Sequence, residues 1–234
     1  MRRPCVDRAL QRSRGDEPTA GKGAGDLPHA IPRVVAVLST ILERLAERND
    51  AVRRPLALHH CASAFHGLTK PAISVRSYLE RIFRYANCSP SCYVVAYIYI
   101  DRFLWRHPAL FLDSFNVHRF LITSVLTAVK FMDDIYYNNA YFAKVGGISL
   151  MEMNYLEVDF LFGVGFELNV TPVIFSSYCS TLQREMHRFL GKEQYEWGAS
   201  NWWDPGKATG MFGMLWRGRG RGRERDGEWH WPAN

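Results

Sequence analysis

The sequence predicts an all-α protein, a five-helix bundle packed around a central apolar helix. The stretch 93–105, YVVAYIYIDRFLW, carries no charge before Asp101 and offers no polar face, so other segments must surround it. Amphipathic patterns with helical spacing lie on both sides of it. A serine or threonine followed by proline, the signal for a helix start, occurs at Ser89-Pro90 and Thr171-Pro172.

The central stretch has a strand alternative, because β-branched residues and tyrosines are frequent in it. Its length and boundaries favour a helix. Residues 90–107 lie between the Ser89-Pro90 start signal and the His107-Pro108 stop, and 18 residues are long for a strand but ordinary for a helix. The 13 residues of 93–105 are also too few to span a bilayer, which needs about 20.

Six further helices are predicted from apolar periodicity and capping residues. One precedes the five-helix bundle as an extra N-terminal helix, four complete the bundle, and one follows it. They cover residues 32–48, 74–86, 116–132, 140–145, 149 to about 163, and 171 to about 190.

Composition divides the chain into four parts. Residues 1–30 are rich in Arg, Gly, Asp and Pro and predict a disordered tail, whereas 31–62 contain a helix and a linker. Residues 63–190 hold the bundle and its following helix. Residues 191–234 contain six of the seven tryptophans among Gly and Arg, which predicts an irregular tail, as an abnormal C-terminus such as translated intron sequence would give. The RG run at 217–223 suits weak binding of single-stranded RNA.

The net charge gives little support for nucleic-acid binding. Residues 63–190 carry 11 Lys+Arg against 10 Asp+Glu, so this part of the chain is nearly neutral although the pI of the whole chain is basic.

The cysteine content and the sequence after Met1 predict an intracellular protein, in the nucleus or the cytoplasm. Five cysteines, an odd number, and the lack of an apolar segment after Met1 favour reduced thiols and no secretion. We expect no membrane association.

No catalytic or cofactor motif is evident. Phosphate-binding loops, zinc-protease and nucleophile-elbow patterns are absent from the sequence. Asp133-Asp134 resembles part of the magnesium-binding DDxxD motif of isoprenoid synthases, but Tyr137 occupies the last ligand position, and two aspartates are too few for a divalent ion. We therefore expect no metal, no cofactor and no small-molecule substrate.

Three ionisable residues fall on apolar helical faces: Asp101, Lys130 and Glu157. A carboxylate directed into an apolar face, as predicted for Asp101, needs a partner. The presence of Lys130 on an apolar face has two simple explanations. The lysine could pair locally with Asp133 and Asp134 one turn later, or its side chain could reach water from the edge of the core. Glu157 has the second explanation as well. From the residues alone, these alternatives stand beside a binding role.

Three segments carry a resemblance to the cyclin box: YIDRFL at 99–104, LTAVKFMDD at 126–134 and LEVDFL at 156–161. The segments SYLERI at 77–82 and YNNAYFAKVGG at 137–147 narrow it to the plant U-type, or P-type, cyclins, which are related to the yeast phosphate-response cyclin. The resemblance covers about residues 32–186.

The resemblance implies a regulatory subunit that binds and activates a cyclin-dependent kinase and has no catalytic activity of its own. Lys130 and Glu157 match the pair that hydrogen-bonds backbone beside the kinase C-helix, and Phe131 and Met153 are assigned to the same face. Asp101 matches an aspartate that pairs with an arginine of the first box helix, for which Arg76 is the candidate. Cell-cycle control and nutrient or phosphate signalling are the implied processes.

The sequence also departs from the cyclin pattern. VRSYL at 75–79 replaces the hydrophobic docking motif of mitotic cyclins, and residues 191–234 do not resemble the family. The alternative function is that of a helical adaptor with a cyclin-like fold, acting in transcription or scaffolding without a kinase.

Overall fold

A computed structural model describes residues 31–56, 63–190, 223–225 and 228–230. Seven helices make up its main body. They are α1 (Arg33–Leu56), α2 (Val75–Ala86), α3 (Pro90–Arg106), α4 (Val117–Met132), α5 (Asn139–Gly146), α6 (Leu150–Gly163) and α7 (Pro172–Leu190). The predicted all-α architecture is confirmed.

The centre of the bundle is the contact between α3 and α4. Along α4, 13 of 16 residues are buried. Helix α3 is buried on nearly every side from Cys92 to Ile100, whereas Asp101 and Trp105 near its end are exposed. Helices α2, α5 and α6 pack around this pair, α1 lies against α2 and α3, and α7 lies against α1 and α3. The arrangement is a five-helix bundle, α2 to α6, with one additional helix before it and one after it.

Four phenylalanines join the loop before α2 to three helices of the bundle. Phe65 stacks on Phe120 of α4 with ring centroids 4.2 Å apart, and Phe103 of α3 stacks on Phe160 of α6 at 5.4 Å. All four side chains are buried. Aromatic pairs of this kind add to the free energy of burial, so this cluster fixes how α3, α4 and α6 pack.

Helix boundaries follow the predicted caps, with one clear exception. Ser74, Asn138 and Ser149 each accept a hydrogen bond from the backbone N–H three residues later. Helix α1, however, continues to residue 56 instead of ending at 48. Asn49 donates to the Leu112 carbonyl oxygen at 2.7 Å and Asp50 accepts from the Ser114 backbone N–H at 3.2 Å. These residues, which resemble a helix end, instead dock α1 on the segment before α4.

Two short strands lie in the part of the C-terminal segment that the structure describes. β1 (Arg223–Arg225) and β2 (Glu228–His230) pair antiparallel, with Arg223 opposite His230. No strand is predicted there from the sequence pattern. Asp226-Gly227 separates the two strands in the sequence, and Asp-Gly is a favoured dipeptide for two-residue hairpin connections. The predicted disorder of residues 1–30, the linker at 57–62 and the RG run at 217–222 lie outside the described residues.

Candidate functional site

Lys130 and Glu157 lie side by side at one end of the bundle. Lys130 occupies the last turn of α4, and its Nζ donates to Glu157 Oε1 of α6 at 2.6 Å. Both side chains are partly enclosed, with 29% of Lys130 and 15% of Glu157 exposed. The pair therefore forms between helices, in place of the local pairing of Lys130 with Asp133 and Asp134 that the sequence left open.

Asn139, the first residue of α5, completes the arrangement around Glu157. Its amide nitrogen donates to Glu157 Oε2 at 2.6 Å and to Asn154 Oδ1 at 2.8 Å. Each oxygen of the Glu157 carboxylate thus accepts one hydrogen bond, one from α4 and one from α5. A side chain held by two donors on different helices has its position fixed before any partner arrives. This arrangement leaves the ammonium of Lys130 with N–H donors for which no described residue is an acceptor.

An exposed apolar stripe runs along α6 beside this pair. It consists of residues spaced at four, three and four positions, which places them on one helical face. Its members are Met151, Tyr155, Val158 and Phe162. Asn154 lies between the stripe and Glu157 at helical spacing. The opposite face of α6 is buried, so this helix is apolar on both sides and only one side is covered by the bundle.

The segment between α4 and α5 adds exposed apolar and aromatic side chains at the same end of α4. Ile135 is 92% exposed, and Tyr136 and Tyr137 are each more than 40% exposed. Contiguous exposed apolar surface on a folded chain is typical of a protein-binding site. The surface formed by Lys130, Glu157, Asn139, the α6 stripe and residues 135–137 is called the α4–α6 face below.

Of the four residues assigned to the binding face from sequence, three lie at the surface or its margin and one does not. Lys130 and Glu157 are partly exposed, and Phe131 is half-buried against the core. Met153 has 0% of its surface exposed. The assignment of Met153 to direct contact with a partner is therefore corrected, because its position on α6 points it into the core beneath the face.

The predicted ion pair between Asp101 and Arg76 does not form. Arg76 Nε lies 3.1 Å from Glu80 Oε1, one turn further along α2. Asp101 is exposed, and its Oδ2 accepts a hydrogen bond from the Tyr178 hydroxyl of α7 at 2.5 Å. The face of α3 that carries Asp101 is the one on which α7 packs, so the partner comes from that helix.

Some features of the site were not predicted from the sequence. No role is predicted for Asn139 or Asn154, although Asn138-Asn139 directly precedes the predicted helix at 140–145. The exposed stripe has a sequence signature, since 150–163 carries apolar residues on every side of the helix. Tyr178 offers no comparable signal, because its contact with Asp101 joins residues 77 positions apart.

No group of three or more His, Cys, Asp or Glu side chains is arranged to hold a metal ion in the part of the chain that the structure describes. Among the helices described, none is both long and apolar enough to cross a bilayer.

Comparison with known proteins identifies the class of protein. The sequence pattern of the cyclin family, described as Cyclin, matches residues 32–168, more than half of the chain. The match includes all five bundle helices and both residues of the Lys130–Glu157 pair. The chain belongs to the cyclin family, whose members act as regulatory subunits.

Sequence relatives place it within the plant U-type and P-type cyclins. Cyclin-P4-1 of Oryza sativa subsp. japonica is 73% identical over 165 residues, which cover 69% of this chain and 78% of the relative. Cyclin-U4-1 of Arabidopsis thaliana is 63% identical over 159 residues, covering 68% and 79%. Cyclin-U2-1 of the same plant is 44% identical over 161 residues, covering 69% and 72%.

Proposed function

We propose that this cyclin binds a cyclin-dependent serine/threonine kinase through the α4–α6 face and shifts it toward its active conformation. The observation that carries the proposal is the Lys130–Glu157 pair, partly enclosed and flanked by the exposed stripe of α6. Charged donors and acceptors with a fixed position suit hydrogen bonds to a partner's backbone, because such bonds set orientation without requiring a particular side chain. The stripe supplies apolar area that only a partner would bury.

Activation would follow from preferential binding to one kinase conformation. The cyclin would contribute no reacting group, so all of its effect would come from contacts that the active conformation makes and the inactive one does not. Free thiols at Cys88, Cys92 and Cys179 agree with action in a reducing compartment, the nucleus or the cytoplasm. Control of division and of nutrient or phosphate signalling would differ in which kinase is captured and which substrates it phosphorylates.

The decisive experiment is affinity purification of the tagged full chain from plant extract, followed by identification of bound kinases and a protein-kinase assay. Phe162→Ser and Lys130→Glu should each remove the kinase, whereas the unchanged chain retains it. Phe162 is 68% exposed, so its replacement should leave the thermal unfolding midpoint of the isolated chain nearly unchanged.

A matched control lies on α7, a helix that contributes no residue to the α4–α6 face. Val173 is an apolar residue of α7 that is as exposed as Phe162, and Val173→Ser should leave kinase recovery unchanged. If the wild-type chain retains no kinase, the adaptor function without a kinase is favoured. Retention of a kinase by the folded Phe162→Ser and Lys130→Glu variants would show that binding uses another surface.

A further inference from the structure

A second surface of the bundle, the groove between α2 and α5, is basic. Its volume is about 620 Å³, and it is open to solvent. Arg81 and Arg84 line it from α2 and Lys144 lines it from α5, while Glu80 is the single acidic lining residue among those that the structure describes. None of these lining residues belongs to the α4–α6 face, although Tyr141 of the groove stacks on Tyr137 of that face with ring centroids 4.0 Å apart. The proposed kinase contact uses none of the three cations.

The one acid does not neutralise the groove. Glu80 Oε1 lies 3.1 Å from Arg76 Nε, so its charge is matched by a cation that is not among the lining residues. Arg81, Arg84 and Lys144 then leave a positive excess on the two walls. Like charges gathered on facing helices repel one another, and an anion placed between them relieves that repulsion.

Hydrogen bonds between the two helices hold the groove in shape. Arg81 Nη2 donates to the Lys144 carbonyl oxygen at 3.2 Å, and the Tyr141 hydroxyl donates to the Tyr85 carbonyl oxygen at 2.9 Å. The cations are therefore presented by walls that are tied together. A preformed site of this kind loses less conformational entropy when a ligand binds than separate, mobile surface side chains do.

Helix dipoles explain the basic residues only in part. Arg84 lies in the last turn of α2 and Lys144 in the last turn of α5, where a cation stabilises the helix end. A cation stabilises the helix end wherever its side chain lies near that terminus, so the dipole does not require the side chains to point into one groove. It does not account for Arg81, which lies before the last turn, or for the convergence of all three on one groove.

The size of the groove selects a short ligand. The eight residues of α5 make a wall about 12 Å long, and an extended peptide advances about 3.3 Å per residue, so about four residues fit along it. The three cations can pair with two or three carboxylates of such a ligand. Nucleic-acid binding relies on many phosphate contacts, which the nearly neutral residues 63–190 do not offer beyond the groove.

The chain's own terminal segments are poor occupants. Residues 1–30 carry six Lys+Arg against four Asp+Glu, and residues 191–234 carry seven against six. Neither has the acidic excess that the groove requires. We propose that the α2–α5 groove docks a short acidic segment of a partner protein, with Arg81, Arg84 and Lys144 pairing its carboxylates.

The test measures binding of a defined probe to the full chain by fluorescence anisotropy. The probe is a fluorescein-labelled peptide with an Asp-Glu-Asp-Glu run flanked by Gly and Ser, and its control has Asn-Gln-Asn-Gln in the same place. We expect binding of the acidic probe alone, weakened when NaCl rises from about 50 to about 300 mM. The double variant Arg84→Glu/Lys144→Glu should lower affinity at least about tenfold.

The double variant Arg184→Glu/Arg188→Glu makes the same charge change at two exposed residues of α7 and should keep affinity within about twofold. Should the double reversal unfold the chain, the milder Arg84→Gln and Lys144→Gln variants replace it, each with an intermediate loss expected. Equal binding of the amide peptide, no binding of the acidic one, or unchanged affinity in folded groove variants would overturn the proposal. Tighter binding of a single-stranded oligouridine that the groove variants abolish would assign the groove to RNA instead.

Kinase recovery separates this proposal from the previous one. Groove variants should still capture the kinase, and Lys130→Glu should still bind the acidic probe. Loss of both activities in either variant would contradict the assignment of two independent surfaces.

Discussion

Glu157 of α6 accepts a hydrogen bond from Lys130 of α4 at 2.6 Å, and this contact joins two helices of the bundle at the surface where apolar residues are left uncovered. A pair that is partly exposed adds little to stability, commonly about 0.2–1 kcal/mol. Its position next to an uncovered stripe gives it a second use, which is to present a fixed charge pattern to a partner. Stability and partner binding can be separated by exchanging the two charges.

The first prediction concerns that exchange. Lys130→Glu and Glu157→Lys should each lower the free energy of unfolding by about 1 kcal/mol, because each places like charges together. The double exchange should recover most of this loss, since the opposite charges are restored and Asn139 can turn its amide to offer its oxygen. Kinase recovery should stay low in the double variant, because the charges that meet the partner are reversed. Urea denaturation and co-purification measure the two effects, and recovery of kinase binding by the double variant would contradict the proposed orientation.

A second prediction tests the contact between Asp101 and Tyr178. In a double-mutant cycle, Asp101→Asn and Tyr178→Phe should show a coupling of about 1 kcal/mol. A hydrogen bond to a charged group commonly contributes about 1.5–3 kcal/mol, and the exposure of Asp101 to solvent lowers that value here. The pKa of Tyr178 is raised mainly by burial and, to a smaller extent, by the neighbouring Asp101 carboxylate. The Tyr178 hydroxyl therefore keeps its proton and remains a hydrogen-bond donor across the physiological pH range.

Arg76→Ala supplies the control for that cycle. Because Arg76 pairs with Glu80 on its own helix and is exposed, its replacement should change stability by less than about 0.5 kcal/mol and should not couple to Asp101. A measured coupling between Arg76 and Asp101, with none between Tyr178 and Asp101, would restore the pairing expected from the family resemblance.

Local signals in the sequence located most helices, and contacts between distant segments account for what they missed. Ser89-Pro90 and His107-Pro108 bracket α3 within one residue of its observed ends. Periodicity placed Asp101 on an apolar face but did not distinguish a face turned to the core from one at the edge under α7. Asn49 similarly appeared to end a helix because its tertiary acceptor, Leu112, lies 63 positions away.

The same distinction between local signals and contacts of distant segments applies to the candidate site. Lys130 and Glu157 are predicted to lie on apolar helical faces, the resemblance to the cyclin box assigns them to one pair, and the structure brings them together. The resemblance assigns no role to Asn139, and the contact of this residue with Glu157 depends on where the short helix α5 lies against α6. Met153 was misassigned because a buried and an exposed apolar residue of α6 have the same side-chain character, and only packing distinguishes them.

A third prediction concerns Gly163, where α6 meets α3. A Cβ placed on Gly163 would lie 1.9 Å from the Phe103 ring, which is stacked on Phe160 and cannot move freely. Gly163→Ala should therefore destabilise the chain by about 2–3 kcal/mol through overpacking. Gly147→Ala is the matched control: no atom lies within 4 Å of its Cβ, but φ is +71°, so only backbone strain of about 1 kcal/mol is expected. Thermal unfolding of both variants measures the difference, and equal losses would show that the Phe103 contact is relieved by repacking.

The last prediction is a pH dependence caused by His118. This residue of α4 is 8% exposed, and its Nε2 lies 2.9 Å from the Ile73 carbonyl oxygen. Burial lowers the pKa of His118, and the nearby cations of Lys70 and Arg119 act in the same direction. The unfolded chain therefore takes up a proton at this residue near pH 6.5 while the folded chain remains neutral. The stability that depends on neutral His118 is present above that pH and is lost as the pH falls from about 6.5 toward the folded pKa.

His118→Gln removes the titrating group and keeps an N–H donor for Ile73. Urea denaturation between about pH 7.5 and about pH 5.5 should show a steeper loss of stability for the wild-type chain than for this variant, with a difference of at most about 1.4 kcal/mol per pH unit for one proton. Burial raises the pKa of Asp133, which gives the opposite slope at lower pH, and the chosen range limits that contribution. Identical pH slopes in the two chains would show that His118 is protonated to the same extent in the folded and unfolded states, and that its burial carries no electrostatic cost.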